Sequence, residues 1–212
     1  MSKISFQNCR LYVIVDRSVL VSRDPVQVAE AAIRGGADCI QWRDKTASDR
    51  EFLSVAKRLR ELTRSLKIPF IVNDRVAVAL LVRADGVHVG HEDLSVQEVR
   101  ALVGPEIRIG RSTHSLREAK EAEAAGADYI GVGPIFSTPT KPDYPAVGLE
   151  LIRQIKPAIR IPWVAIGGID LNNLALVLSA GASRVAVVRA VAGASDPEMA
   201  ARNFKTTIIK RL

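Results

Sequence analysis

A cluster of groups that can bind an anion follows an apolar run near the middle of the chain. The run at 129–132 ends at Gly133, and the segment behind it contains Thr138, Thr140 and Lys141. Backbone N–H groups, hydroxyls and an ammonium can together bind a phosphate. A solvated loop has a similar composition, so this segment alone does not distinguish a phosphate site from an ordinary turn.

Four further apolar runs end in polar clusters, at 41–45, 73–75, 111–114 and 167–168, which indicates that the five ends share one site. Three cations among them, an arginine and two lysines, can surround a polyanion, and this favours a phosphate cage over isolated surface charges. The candidate residues at the strand ends are Gln41, Arg43, Lys45, Asn73, Asp74, Asp93, Ser112, Thr138, Thr140, Lys141 and Gly168.

Two carboxylates lie beside the predicted cage. Asp74 and Asp93 follow the third and fourth predicted strands, so we expect them to be neighbours in space. Mg²⁺ takes few protein oxygens and keeps water and phosphate as its other ligands, which suits a carboxylate pair next to a phosphate. The alternative is that Asp74 caps the following helix and pairs with Arg75. Beside the cage, the metal site is the stronger interpretation.

Apolar, β-branched runs alternate with amphipathic stretches along the chain, which is typical of a parallel sheet covered by helices. The predicted strands are 11–16, 39–43, 69–73, 86–90, 108–112, 129–133, 163–167 and 184–189. The predicted helices are 26–34, 49–66, 96–102, 116–125, 149–155, 172–179 and 197–210.

The predicted architecture is an α/β TIM (β/α)₈ barrel that forms one domain over residues 1–212. An open doubly wound sheet is the alternative, but it needs a glycine-rich phosphate turn after the first strand, and residues 16–20 contain no glycine. In a barrel, Gly168 and the pair 188–189 follow strands seven and eight, where phosphate sites often form.

Composition narrows the classes of partner. The chain has 30 Lys and Arg against 23 Asp and Glu, so its formal charge of +7 favours an anionic ligand. Aromatic residues make up only 5% and no basic stripe occurs, which argues against nucleic acid as a partner.

Cys9 and Cys39 have neither metal-type spacing nor a disulfide pattern. We find no signal peptide and no membrane-spanning run, so we expect a cytoplasmic protein, with a homo-oligomer left open.

The three histidines, His88, His91 and His114, carry no recognisable catalytic spacing. Neither a Ser/His/Asp order nor a metal-type histidine repeat is present, which argues against hydrolysis. We expect each histidine to have a structural or hydrogen-bonding role.

With these residues in hand, the chain resembles the thiamine phosphate synthase family. The resemblance extends from Leu11 to about Phe204. The motifs that carry it occur in order at 41–45, 72–75, 84–93, 110–114, 133–141 and 165–169.

The resemblance implies a TIM barrel that joins hydroxymethylpyrimidine pyrophosphate to thiazole phosphate, with thiamine phosphate and pyrophosphate as products. By this similarity Asp74 and Asp93 would bind Mg²⁺, and Ser112 would contact the reacting pyrimidine. Lys141 would act with Ser112 in catalysis. The pyrimidine pyrophosphate would be held by Gln41, Arg43, Lys45, Asn73 and Lys141. The thiazole phosphate would be held by Thr138, Thr140, Gly168, Val188 and Arg189.

One position departs from the family pattern, since members usually carry a serine where this chain has Arg189. An arginine there could strengthen the phosphate site or intrude on it. Two other functions are weighed: a thiazole tautomerase on the same barrel, and a non-catalytic barrel that binds phosphorylated ligands and regulates thiamine genes. The tautomerase branch has a histidine where this chain has Pro134, and a pure binder needs no leaving-group cage, so the synthase is favoured.

Overall fold

The structure, a computed structural model, describes residues 8–140 and 144–211. Its eight parallel strands close into a ring in chain order, which confirms the predicted barrel and excludes the open doubly wound sheet. The strands are β1 (Leu11–Asp16), β2 (Cys39–Arg43), β3 (Phe70–Asn73), β4 (Gly86–Val89), β5 (Arg108–Thr113), β6 (Tyr129–Val132), β7 (Trp163–Ile166) and β8 (Val185–Val187). The helices of the described chain are α1 (Arg17–Leu20), α2 (Pro25–Arg34), α3 (Asp49–Ser65), α4 (Val76–Leu81), α5 (Val96–Val103), α6 (Leu116–Ala124), α7 (Gly148–Ala158), α8 (Leu174–Ser179), α9 (Arg189–Ala192) and α10 (Pro197–Arg211).

Alternate residues of each strand face opposite sides of the barrel wall. In β1, Leu11, Val13 and Val15 pack between the strands and the helices, whereas Tyr12 and Ile14 pack inside the barrel. All five are buried, because helices cover the outer side and the facing strands cover the inner side. The strands therefore read as continuous apolar runs rather than as alternating ones.

The inward-facing positions become polar towards the carboxyl ends of several strands. Gln41 and Arg43 on β2, Asn73 on β3, His88 on β4 and Ser112 on β5 line the same cavity. Because all eight strands are parallel, their carboxyl ends meet at one mouth of the barrel. The predicted sharing of one site by the strand ends follows from this geometry.

A glycine turn at the opposite end of the barrel connects α6 to β6. The backbone of Gly126 has φ +87°, and the Ala127 N–H donates to the carbonyl of Ala122 over 3.1 Å. This is the hydrogen bonding of a helix that ends in the left-handed conformation, which glycine adopts without a Cβ penalty. The glycine phrase at 126–128 thus ends α6 and leads into β6.

Three helices were not predicted: α1, α4 and α9. The six residues of α4 are all apolar, so they lack the amphipathic repeat that identifies a surface helix. The α1 and α9 helices have four residues each. The predicted eighth strand also extends too far, because β8 stops at Val187 and the chain turns into α9 at Arg189.

Candidate active site

A cavity of about 390 Å³ opens at the carboxyl ends of the strands. Its floor is apolar, with Ile14, Val164, Ile166 and Ala186 among the residues that line it. The predicted site residues that line it are Gln41, Arg43, Asn73, Ser112, Thr138, Thr140, Gly168, Val188 and Arg189. Residues from the ends of six strands or their loops thus surround one space. Lys141, the predicted catalytic lysine, lies outside the described residues.

Arg43 is held at the cavity by a buried carboxylate. Its guanidinium forms an ion pair with Asp16, which is 1% exposed at the end of β1. Asp16 also accepts hydrogen bonds from the backbone N–H of Ser18 over 2.9 Å and from its hydroxyl over 2.7 Å. The carboxylate is therefore fixed on both sides. A guanidinium has five N–H donors, so the pair with Asp16 leaves others that can bind an anion.

Asp74, Asp93 and Lys45 form a cluster next to Asn73. The Lys45 ammonium forms an ion pair with Asp74, and the carboxyl of Asp93 lies close enough to act on the pKa of Asp74. Asp93 also accepts the backbone N–H of Gly90 over 2.7 Å. Asp74 has φ +57°, a left-handed conformation that aspartate and asparagine tolerate better than other side chains.

The alternative interpretation of Asp74, as a helix cap paired with Arg75, is wrong. The residue before α4 is Arg75, and no side chain caps this helix. Arg75 instead pairs with Asp49 and lies 4.6 Å from the ring of Phe52, so it ties the β3–α4 loop to the start of α3. The carboxylate of Asp74 is thus left to Lys45 and Asp93.

The pKa values of the two carboxyls are shifted in opposite directions. Burial raises the pKa of Asp74, and the carboxylate of Asp93 raises it further against the opposing effect of Lys45. Partial burial acts in the same direction on Asp93, but the N–H of Gly90 and the contact with Asp74 lower its pKa overall. A cation bound beside both carboxyls would favour the ionised form of each. Within residues 8–140 and 144–211, no cluster of three or more His, Cys, Asp or Glu could hold a metal. The donor set of two carboxylates is of the kind that suits Mg²⁺, which needs few protein oxygens.

The β6–α7 and β7–α8 loops pack into one wall of the cavity. The N–H of Ile135 donates to the carbonyl of Ile166 over 2.8 Å, and that of Phe136 donates to the carbonyl of Gly167 over 3.0 Å. A Cβ atom on Gly168 would lie 2.7 Å from Phe136 Cβ and from the Ser137 carbonyl oxygen. The glycine pair therefore has a packing reason: it lets the two loops approach, which brings Thr138 and Thr140 to the same wall.

Two buried polar atoms facing this site have no hydrogen-bond partner among the described residues. They are the Thr140 hydroxyl oxygen and Nε2 of His114, and both residues line the cavity. The other ring nitrogen of His114, Nδ1, contacts the carbonyl oxygen of Gly133, and the ring lies 4.5 Å from that of Tyr144. Buried polar atoms are normally paired, so these two atoms are positions where a ligand could bond.

His88 also lines the cavity, although its position within a strand carried no functional signal in the sequence. Its Nε2 lies 3.0 Å from the hydroxyl of Ser112, and its Nδ1 lies 3.1 Å from the hydroxyl of Tyr129. Its predicted hydrogen-bonding role agrees with these contacts. The pattern that could have located it is register, since His88 lies at an inward position opposite Gly110, where a neighbouring glycine leaves space for the ring.

Val188 and Arg189 complete the rim of the cavity after β8. Val188 precedes α9, and Arg189 is its first residue. Arg189 is exposed, although it also contributes to the lining of the cavity.

None of the helices in the described part of the chain is both long enough and apolar enough to cross a membrane.

Comparisons of sequence and of structure with known proteins identify the same family. The family model described as thiamine monophosphate synthase matches residues 11–191. The chain is 49% identical to the thiamine-phosphate synthase of Chloroflexus aurantiacus, over 98% of this chain and 96% of that one. It is 50% identical to the thiamine-phosphate synthase of Shouchella clausii, over 91% and 93% of the two chains. A solved thiamine phosphate pyrophosphorylase from Pyrococcus furiosus superposes with a TM-score of 0.89 at 42% identity, covering 96% of this chain and 97% of that one.

Proposed function

Because the chain belongs to the thiamine monophosphate synthase family, its activity is that of a thiamine-phosphate synthase, and we propose that the cavity residues described above carry it out. The enzyme is a transferase of thiamine biosynthesis that acts on phosphorylated small molecules. It joins hydroxymethylpyrimidine pyrophosphate to thiazole phosphate and releases pyrophosphate. The observation that carries the assignment of residues is the gathering of nine predicted site residues around one cavity of about 390 Å³, a volume in the usual range for small-molecule sites.

The pyrophosphate end of the pyrimidine substrate is assigned to the β2 and β3 side of the mouth. Arg43 provides a fork that Asp16 holds in place, and Lys45 provides a second, more exposed cation. Asp74 and Asp93 would hold Mg²⁺, which supplies positive charge to the leaving pyrophosphate when it is bound. Lys45 would then be available to bind the anion.

The thiazole phosphate is assigned to the opposite wall. The two loops that carry Thr138, Thr140 and Gly168 are already packed together, and the Thr140 hydroxyl has no partner among the described residues. Val188 and Arg189 would add backbone N–H groups across the rim. A phosphate there offers several acceptor oxygens to these donors.

The reaction needs charge neutralisation and positioning more than it needs a proton acceptor. The C–O bond between the pyrimidine methylene and the pyrophosphate breaks, and its electron pair leaves with the pyrophosphate. The lone pair of the thiazole nitrogen then forms the new C–N bond. Neither reacting atom loses a proton, so the cation-rich rim and the alignment of the two substrates in one cavity account for catalysis.

A coupled assay for pyrophosphate release tests this function. We expect release only with both substrates and Mg²⁺ present, in equal amount to the thiamine phosphate formed. Isomerisation of the thiazole phosphate without pyrophosphate release would instead support the tautomerase. Tight binding of both ligands without turnover would support a non-catalytic barrel.

Arg189→Ser should have a small effect, because the exposed guanidinium is not needed for a backbone contact at this position. We expect kcat to be nearly unchanged and KM for thiazole phosphate to change by less than about tenfold, equivalent to 1.4 kcal/mol. Steady-state kinetics with each substrate varied in turn would measure this. If the serine variant gained activity from an inactive parent, Arg189 would block the site and the parent would not be a synthase.

The cytoplasm is the compartment that we propose. Cys9 and Cys39 are both buried free thiols, which suits a reducing environment.

A further inference from the structure

Five side chains form a continuous chain of hydrogen bonds inside the barrel, here called the polar chain. It begins at Gln41, whose Nε2 donates to the Tyr12 hydroxyl over 2.7 Å. The Tyr12 and Tyr129 hydroxyls are 3.0 Å apart, and the Tyr129 hydroxyl is 3.1 Å from Nδ1 of His88. It ends where Nε2 of His88 lies 3.0 Å from the Ser112 hydroxyl at the cavity.

One direction of donation places the protons of both tyrosine hydroxyls and of His88 along the polar chain. Because Tyr12 accepts from Gln41, its own proton is available for the oxygen of Tyr129. Tyr129 can then donate to Nδ1 of His88, which makes Nδ1 an acceptor. A neutral imidazole with an acceptor at Nδ1 carries its proton on Nε2, so His88 donates to Ser112. Ser112 is then left to donate its own proton away from His88.

Burial keeps the two tyrosines in the protonated form that this direction requires. Both are 1% exposed or less, and burial raises the pKa of each hydroxyl well above its ordinary value.

A strand glycine provides the space for these rings. A Cβ on Gly110 would lie 2.2 Å from Cζ of Tyr129 and 2.4 Å from Nδ1 of His88. Glycine within a strand weakens it, so its presence at this inward position is explained by the two rings that lie against it.

We propose that the polar chain orients Ser112 so that its hydroxyl donates into the cavity, to a ring nitrogen of the bound pyrimidine, with His88 as the positioning residue. That the pyrimidine accepts this hydrogen bond rests on the proposed function. The direction of donation rests only on the hydrogen bonds of the polar chain. Ser112 alone could either donate or accept. With one of its two lone pairs engaged by His88, its proton is directed away from the imidazole, which favours a substrate with an acceptor at this point.

The direction of hydrogen-bond donation along the polar chain can be tested without any substrate. Long-range ¹H–¹⁵N spectra of the histidine-labelled free protein at neutral pH report which ring nitrogen carries the proton. We expect His88, identified by the signals lost in His88→Gln, to be the neutral form protonated at Nε2. Tyr129→Phe should move the Nδ1 signal because it removes the donor. A proton on Nδ1 of His88, in either the other tautomer or the imidazolium, would overturn the proposal.

A double-mutant cycle tests whether the polar chain acts through Ser112. We expect Tyr129→Phe to lower kcat/KM for the pyrimidine substrate about tenfold, the size of one hydrogen bond, and to lower it less than about twofold when Ser112 is already alanine. Thr113→Val is the control, because it removes a neighbouring buried hydroxyl that donates to the Gly131 carbonyl and is not part of the polar chain. Its effect on kcat/KM should be the same whether residue 112 is serine or alanine. Equal losses for Tyr129→Phe in the two backgrounds would contradict the coupling.

A pair of substitutions at His88 distinguishes donation from packing. His88→Gln keeps an N–H that can reach Ser112, whereas His88→Leu keeps bulk without a donor. We expect the glutamine variant to retain more kcat/KM than the leucine variant when both show similar melting temperatures. Equal losses would mean that His88 only fills space. If the parent itself releases no pyrophosphate, the proposed function fails, while the spectra of the free protein still decide the direction of donation.

Discussion

Asp74→Asn is expected to lower kcat for pyrophosphate release by about a hundredfold or more at millimolar Mg²⁺, the size of effect that follows loss of one strong electrostatic contact in a transition state. The proposed reason is that two carboxylates hold the metal, and the amide removes the charge from one of them. Asparagine also tolerates φ +57°, so the backbone at this position should be kept. Magnesium titrations of initial rate, together with calorimetric titration of the free protein with Mg²⁺, would measure the loss.

Asp49→Asn is the matched control for this prediction. Asp49 is also an aspartate of the same mouth, but its side chain is 91% exposed and paired with Arg75. We expect its Mg²⁺ dependence to be that of the parent. Asp93→Asn should show a loss similar to that of Asp74→Asn, and the double variant should lose little more, because the two carboxyls act as a unit. Chelation with EDTA should abolish turnover reversibly. Full activity of either variant at micromolar Mg²⁺ would remove that carboxylate from the site.

The barrel was accessible to sequence reasoning because its physical causes are local. Strands covered on both sides must be apolar throughout, and runs such as 129–132 show this directly. Helix ends need glycine in a left-handed conformation, as at Gly126. The short helices were missed because α4 is apolar on every side and because β-branched residues continue past β8 to Val188.

The site was only partly accessible, because partners are decided by tertiary packing. Strand ends identified Arg43 as a cation of the mouth, but nothing near it in sequence indicates that Asp16, 27 positions earlier, pairs with it. The same holds for His88, which bonds to side chains on β5 and β6. Register across strands, rather than spacing along them, brings these groups together. The sequence therefore predicted which charged residues lie at the barrel mouth, but not the partners that orient them.

Gly168→Ala is expected to raise KM for thiazole phosphate by about a hundredfold, since a displacement near 1 Å at a binding group can cost that much. The added Cβ would lie 2.7 Å from the Ser137 carbonyl oxygen and from Phe136 Cβ. Neither is the end of a flexible side chain, so the two loops must separate. That separation would move the backbone on which Thr138 and Thr140 are carried. Steady-state kinetics with thiazole phosphate varied would measure the change, and KM for the pyrimidine substrate should change far less.

Gly126→Ala separates this displacement from the cost of the backbone conformation. Both glycines have positive φ, +62° at Gly168 and +87° at Gly126, but a Cβ on Gly126 meets nothing within 4 Å. Alanine in the left-handed region costs about 1–2 kcal/mol wherever it occurs, so both variants should lose melting temperature. Only Gly168→Ala should lose affinity for thiazole phosphate, because Gly126 lies in a helix–strand turn at the opposite end of the barrel. A similar KM increase in both variants would show that general destabilisation, and not the contact between the two loops, controls the phosphate site.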